Sequence, residues 1–155
     1  MFPIIPATSA GESGNQEGIF GYGYFEPGGT TITNLVSDAG VVATDVTGVG
    51  TRRSYLAATE YGYDKGIFGF GSGYTAVTNL VSNTGVVASD QAAETGTARS
   101  HLAACEYGGD KGIFGFGTTG SVSGVTNLVS NAGVVAADVT GVGTARRTPA
   151  ACSFN

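Results

Sequence analysis

The sequence predicts an all-β protein built from three copies of one four-stranded unit. One observation is the hexapeptide Gly-Ile-Phe-Gly-aromatic-Gly, which occurs at residues 18–23, 66–71 and 112–117. Another is the segment Thr-Asn-Leu-Val-Ser, which begins at Thr33, Thr78 and Thr126. The spacing between successive copies of these two segments gives a period of about 47 residues. A fixed period in that range indicates one supersecondary unit that is copied and stacked.

The third observation is the composition, which favours short strands joined by tight turns. The 155 residues include 27 glycines, and 41% of them are hydrophobic while only 12% are charged. Disorder requires more charge and fewer apolar residues, and glycine recurs too often for a stable amphipathic helix. The frequent Val, Thr, Ile, Phe and Tyr are typical of strands.

Each unit is predicted to contain four strands, which are clearest around the second and third hexapeptides. The first strand, Arg99–Tyr107, ends at a Gly-Gly-Asp turn that is typical of hairpins. The second, Gly112–Gly117, is apolar throughout, and its glycines indicate that a ring or backbone packs closely on it. The third strand is predicted at Val125–Ser130 and the fourth at Val134–Asp138.

The repeat phase predicts that the chain joins other copies of itself. Units cover residues 17–63, 64–110 and 111–155, and residues 1–16 form an N-terminal arm. The first unit begins at its second strand, whereas residues 146–154 repeat a first strand. We expect this strand, from Arg146 to Phe154, to complete the first unit of another copy. Ile4 and Ile5 of the arm are expected to dock on a neighbouring subunit or virion protein.

The unit resembles the kelch repeat of β-propellers. The matching residues are Arg53, Arg99 and Arg146, the Leu-Ala-Ala segments at 56–58 and 102–104, and the Ile-Phe-Gly-aromatic-Gly strands. Its diglycine is replaced by Gly-aromatic-Gly, and the Tyr-Asp pair and tryptophan are absent. The resemblance implies an incomplete, kelch-like propeller arc that oligomerisation completes, because propellers have four to eight blades. The alternative is a β-solenoid or fibre-type stack.

The Gly/Thr/Val-rich repeats also resemble repeat arrays in tail and fibre proteins of aquatic bacteriophages. This resemblance implies a structural role in a virion or extracellular assembly. The sequence therefore predicts a non-enzymatic structural protein that forms a homo-oligomer through its repeat edges. The net charge of −5, with seven scattered basic residues, predicts no nucleic-acid partner. No apolar run approaches the roughly 18 residues of a membrane span.

No residue set in the sequence predicts a catalytic, cofactor or metal site. His101 is the only histidine, so a Ser-His-Asp system or a histidine-containing metal site must use it; it occupies a strand position that is Tyr55 or Thr148 elsewhere. Gly115-x-Gly117-x-x-Gly120 matches a dinucleotide fingerprint, but no helix is predicted to follow it. The sequence therefore predicts that the protein is not an enzyme.

The charged and polar residues that recur in each unit are predicted to be structural. Asp45, Asp90 and Asp138 are expected to accept turn N–H groups or to pair with the repeated arginines. Asn34, Asn79 and Asn127 are expected to bond backbone groups at a strand end. Cys105 and Cys152 are equivalent, and we expect free thiols because neighbouring units place them too far apart for a disulfide.

The aromatic residues divide into packing and recognition candidates. Phe70 and Phe116 are expected to pack between units. Tyr24, Phe25 and Tyr74 lie in the loop whose length varies between units, where binding residues are frequent. They are the candidate contacts for a host-surface glycan, which makes a lectin-like glycan-binding module the alternative function.

Overall fold

The computed structural model describes residues 16–91 and 96–154. This part of the chain contains ten short strands and no helix. The strands are β1 (Gly18–Gly21), β2 (Tyr24–Phe25), β3 (Gly28–Gly29), β4 (Thr33–Val36), β5 (Ala57–Tyr61), β6 (Lys65–Gly69), β7 (Thr78–Val81), β8 (Ala103–Tyr107), β9 (Lys111–Gly115) and β10 (Thr126–Val129). The predicted all-β class is confirmed. Ile4 and Ile5, which the sequence predicts to dock on a neighbouring subunit or virion protein, lie outside the described residues.

The strands form small antiparallel sheets that repeat along the chain. Two sheets have three strands, in the orders β5-β6-β7 and β8-β9-β10, while β1 pairs with β4 and β2 with β3. The register is the same in each repeat: Ile67 faces Leu80 as Ile113 faces Leu128. The described residues do not close into a propeller.

Two of the predicted strands, the first and the fourth, differ most from those observed. The first strand begins at Ala103 rather than Arg99, because His101 has a φ of 55° and left-handed backbone cannot continue a strand. The predicted fourth strand is reduced to isolated bridges, Val129 to Val135 and Thr126 to Val139. Fewer regular ladder bonds therefore hold the last segment of each repeat.

Consecutive sheets pack on each other through a phenylalanine and a glycine. Phe114 lies against Gly69 of the preceding sheet, where an added Cβ would come within 2.8 Å of the ring. Phe68 lies against Gly21 in the same way, also at 2.8 Å. The prediction that rings pack closely on these glycines is confirmed. Phe70 meets Phe114 edge to face at 5.1 Å, which confirms its packing role.

Candidate functional site

A fully buried arginine links the first repeat to the second. Arg53 donates from Nε to the Phe70 carbonyl at 2.9 Å and from Nη1 to the Thr51 carbonyl at 3.2 Å. Its Nη2 donates to Asn79 Oδ1. The guanidinium also lies 4.3 Å from the centroid of the Tyr22 ring. Arg53 therefore contacts both repeats at once.

A carboxylate completes this set, which we call the arginine clamp: Arg53, Asn79 and Asp90. Asp90 accepts hydrogen bonds from the Thr51 N–H at 3.0 Å and from Asn79 Nδ2 at 2.9 Å, and it lies 3.8 Å from Arg53 Nη1. Burial raises the pKa of Asp90, but the bonds from Thr51 and Asn79 and the charge of Arg53 outweigh it. The pKa therefore lies below its ordinary value.

The same clamp recurs between the second and third repeats, as Arg99, Asn127 and Asp138. Arg99 is buried and donates from Nε to the Phe116 carbonyl at 2.8 Å, while Asp138 accepts from the Thr97 N–H at 2.9 Å. Arg99 Nη2 and Asn127 Oδ1 have no hydrogen-bond partner in the described part of the chain. They are the atoms whose equivalents are bonded in the first clamp, so this clamp has the same parts in a looser arrangement.

The third arginine, Arg146, has the first half of a clamp only. Its Nη1 donates to the Thr144 carbonyl at 3.1 Å, and its guanidinium lies 3.7 Å from the centroid of the Phe116 ring. Within residues 16–91 and 96–154, no asparagine or carboxylate bonds it. Unlike Arg53 and Arg99, Arg146 is exposed.

The first repeat contains the other half of a clamp, namely the asparagine and the aspartate. Asn34 Nδ2 donates to the Ala43 carbonyl at 3.1 Å and to Asp45 Oδ1 at 2.8 Å, as Asn79 does to Ala88 and Asp90. Among the described residues no arginine contacts Asn34 or Asp45, and both bonds are exposed. The described part of the chain thus contains an arginine without the asparagine and aspartate acceptors, and these acceptors without an arginine.

The apolar packing is unmatched at the same two places. Phe20 is the repeat equivalent of Phe68 and Phe114, yet it is 64% exposed while they are 4% and 0% exposed. At the other end, Gly115 is the equivalent of Gly21 and Gly69. Only the Thr126 methyl, at 3.4 Å, lies near the position of an added Cβ there. We call these surfaces the Phe20 face and the Gly115 face.

A sheet edge is also open beside the Phe20 face. β6 pairs with β5 and β7, and β9 with β8 and β10, whereas β1 pairs with β4 alone among the described strands. A groove of about 400 Å³ lies at this edge, and its lining includes Gly18, Ile19, Thr59, Cys105 and Cys152.

The predicted loop aromatics are exposed but do not form one cluster. Tyr24 and Phe25 form β2 of a small hairpin, and Tyr74 lies in a turn of the second repeat. Tyr24 stacks on Tyr55 at 6.4 Å, and Tyr55 stacks on His101 at 4.1 Å. The observed aromatic row therefore includes Tyr55 and His101, which the sequence did not assign to recognition.

His101 lies beside a buried serine. Ser100 Oγ is 3.0 Å from His101 Nδ1, but the Ser100 residue is only 3% exposed. The prediction that His101 occupies a regular strand position is wrong, since it precedes β8 with left-handed backbone. In residues 16–91 and 96–154, no group of three or more His, Cys, Asp or Glu side chains is arranged to hold a metal ion.

Several other predicted residues have the expected contacts. Asp90 and Asp138 accept turn N–H groups, and the three asparagines each bond a backbone carbonyl. Cys105 and Cys152 are free thiols. The pKa of Cys105 is raised, mainly because the thiol is partly buried and also because Cys152 lies nearby. Phe154 is almost fully exposed. Sequence reasoning missed Phe20 and Gly115; the signal was their equivalence to residues in the other hexapeptides.

Comparison with known proteins gives a likeness of fold only. No protein-family model and no curated protein matches the chain. Among solved structures, it is similar to a fungal alcohol oxidase of the AA5 family that was solved in complex with copper, with a TM-score of 0.50 and 13% identity. The match covers 77% of this chain and 27% of the oxidase.

No helix in the described part of the chain is long and apolar enough to cross a membrane.

Proposed function

We propose that this protein is a non-enzymatic structural protein that associates head to tail with copies of itself. The observation that carries the proposal is the divided arginine clamp. Among the described residues, Arg146 has the donors of Arg53 without an asparagine or aspartate to accept them, whereas Asn34 and Asp45 have no arginine. A second copy placed as a following repeat brings the two halves together.

The two halves are complementary in charge and in geometry. Arg53 bonds the asparagine of the next repeat and lies 3.8 Å from its aspartate, while Arg99 bonds the Phe116 carbonyl of the next repeat. Arg146 follows the third repeat at the same position, and its guanidinium is already held over Phe116 as Arg99 is over Phe70. Charge-assisted hydrogen bonds of this kind are stronger than neutral ones.

The apolar faces support the same arrangement. Phe20 on one copy matches the open Gly115 face of another, as Phe68 matches Gly21 and Phe114 matches Gly69 within the chain. Burying a phenylalanine side chain contributes about 1.5–3 kcal/mol. The contact therefore combines a buried aromatic residue with an arginine, which are the residue types that dominate binding energy at interfaces.

The proposal includes an arc of a kelch-like propeller that two copies complete as a ring of six sheets. Such a head-to-tail contact closes when the rotation per copy is right and gives an open fibre when it is not. A β-solenoid or fibre-type stack is the alternative architecture. The repeat composition supports a place in a bacteriophage tail, a tail fibre or another extracellular assembly.

The test compares two neighbouring arginines. Arg146→Ala removes the cation of the divided clamp, and we expect it to weaken self-association at least about tenfold, since a hydrogen bond to a charged group contributes about 1.5–3 kcal/mol. Arg147→Ala is the matched control, because Arg147 is also exposed and has no clamp position. Sedimentation equilibrium gives the self-association constants of both variants. Equal effects of the two changes would argue against the proposal.

A lectin-like module is the second candidate, favoured by the exposed aromatic rings. Tyr24, Phe25 and Tyr74 are about half exposed or more, and Tyr24 stacks on Tyr55. Rings presented in this way can stack on sugar rings. A glycan array tests this candidate, with Tyr74→Ala as the variant. The candidate is rejected if the array shows no binding or if Tyr74→Ala leaves the binding unchanged.

A further inference from the structure

We propose that the open edge of β1 is a binding site for an extended strand, and that its occupant is Ala150–Phe154 of a second copy. This inference rests on the proposed head-to-tail association and identifies the backbone contact that completes it. The clamp and the Phe20 face join side chains, whereas this site joins main chains.

The site is the edge of β1 that pairs with no other described strand, and it lies beside a groove. β6 and β9 have a strand on each side, whereas β1 has only β4 among the described strands. An unpaired edge presents N–H and C=O groups that can pair with another chain. The groove along it is about 400 Å³, and Gly18 and Ile19 line it together with charged residues such as Glu60 and Lys65. Residues 151–153 of the same chain also line this groove. By repeat equivalence, the groove occupies the position beside β1 that β5 occupies beside β6.

The proposed occupant has the sequence of the strand that fills this place elsewhere. Ala150-Ala151-Cys152 repeats Ala103-Ala104-Cys105 of β8. In the sheet β8-β9-β10, Ala103 faces Gly115 and Cys105 faces Ile113. By repeat equivalence, Ala150 faces Gly21 of the second copy and Cys152 faces its Ile19. No regular strand is assigned to Ala150–Phe154 itself, and its residues are exposed.

The strand and the clamp belong to one docking event. Arg53 precedes the first residue of β5 by four positions, and Arg99 precedes that of β8 by four. Arg146 precedes Ala150 by the same four positions. When Arg146 enters the Asn34 and Asp45 half of a second copy, the segment after it is therefore brought alongside β1 of that copy.

A rival occupant exists in the sequence of the same chain. Ala10, Glu12 and Gly14 stand 48 residues before Ala58, Glu60 and Gly62, which is the spacing between Ile19 and Ile67. At this spacing, however, Ile5 takes the position of Arg53. That segment cannot supply the arginine that Asn34 and Asp45 lack, whereas the segment after Arg146 supplies both parts. The second copy is therefore the favoured source of the strand.

A cysteine pair tests the register directly. In the double variant Cys105→Ser and Ile19→Cys, the two thiols are at positions 19 and 152. Opposite residues of an antiparallel pair have Cα atoms about 4.5–5.5 Å apart, which is within the range that a disulfide spans. We expect oxidised glutathione, which accepts the two electrons and two protons, to link positions 19 and 152 of different copies. Peptide mass spectrometry on mixed isotope-labelled and unlabelled protein identifies the link.

The control is Gly18→Cys in the same Cys105→Ser background, because its side chain points to the opposite face of β1. We expect it to form little of this link. Sedimentation of the reduced variants is measured in parallel. Association without a 19–152 link between different copies overturns strand donation alone and favours residues 9–13 as the occupant. Absence of association by every variant and by the unmodified protein overturns the proposed function as well.

Discussion

At the scale of single residues, the structure is organised by buried arginines that the sequence only partly predicted. Asp90 and Asp138 were predicted to accept turn N–H groups or pair with arginine, and they accept those groups from Thr51 and Thr97. The full burial of Arg53 and Arg99 was not predicted. A charged side chain is buried only when it is paired, and the partners of Arg53 come from the following repeat, 17 to 37 positions away in the chain.

The depressed pKa of Asp90 predicts a loss of stability in acid. A carboxylate whose folded pKa lies below its unfolded value of about 3.9 stabilises the fold above that value, and this contribution is lost as the pH falls through it towards the folded pKa. Asp90 is such a group because the bonds from Thr51 and Asn79 outweigh its burial. Asp90→Asn is expected to be less stable at pH 6 and to lose less stability between pH 6 and pH 3.

Urea unfolding at the two pH values measures this difference. Asp38→Asn is the control, since Asp38 is an exposed turn residue. We expect it to keep the pH dependence of the unmodified protein. If Asp90→Asn also keeps the pH dependence of the unmodified protein, the Asp90 carboxylate does not cause the loss of stability in acid.

At the scale of the strands, the sequence predicted the second and third strands of each repeat well. The apolar hexapeptide and the Thr-Asn-Leu-Val segment pair in a fixed register. The first strand was placed too early because nothing in the sequence shows that Tyr55 and His101 have left-handed backbone. The fourth strand was overestimated, since Val-rich segments of high strand propensity form only isolated bridges here.

Substitutions at two equivalent glycines distinguish packing within the chain from packing between copies. Gly69→Ala places a Cβ about 2.8 Å from the Phe114 ring, and we expect it to destabilise the fold by about 1–3 kcal/mol. Gly115→Ala meets only the Thr126 methyl, at 3.4 Å. We expect it to keep its stability within about 0.5 kcal/mol but to weaken self-association. Urea unfolding and sedimentation equilibrium measure the two effects. A Gly115→Ala protein that associates normally would show that Phe20 does not dock there.

At the scale of the whole molecule, the sequence predicted the all-β class but not the surfaces that were left unmatched. The repeat period is a property of the sequence alone, so the class followed from it. The divided clamp, the Phe20 face and the open edge of β1 are differences between equivalent positions, and they depend on which neighbour each position meets in space. The role in a virion stays a prediction, which rests on composition and resemblance.

The most direct test of head-to-tail association is the mass of the protein in solution. Sedimentation velocity at micromolar concentration is expected to show species at multiples of the 15.4 kDa chain mass, either two copies in a closed ring or a longer series in a fibre. Arg146→Ala is expected to shift this distribution towards the single chain. A single 15.4 kDa species at every concentration would contradict the account.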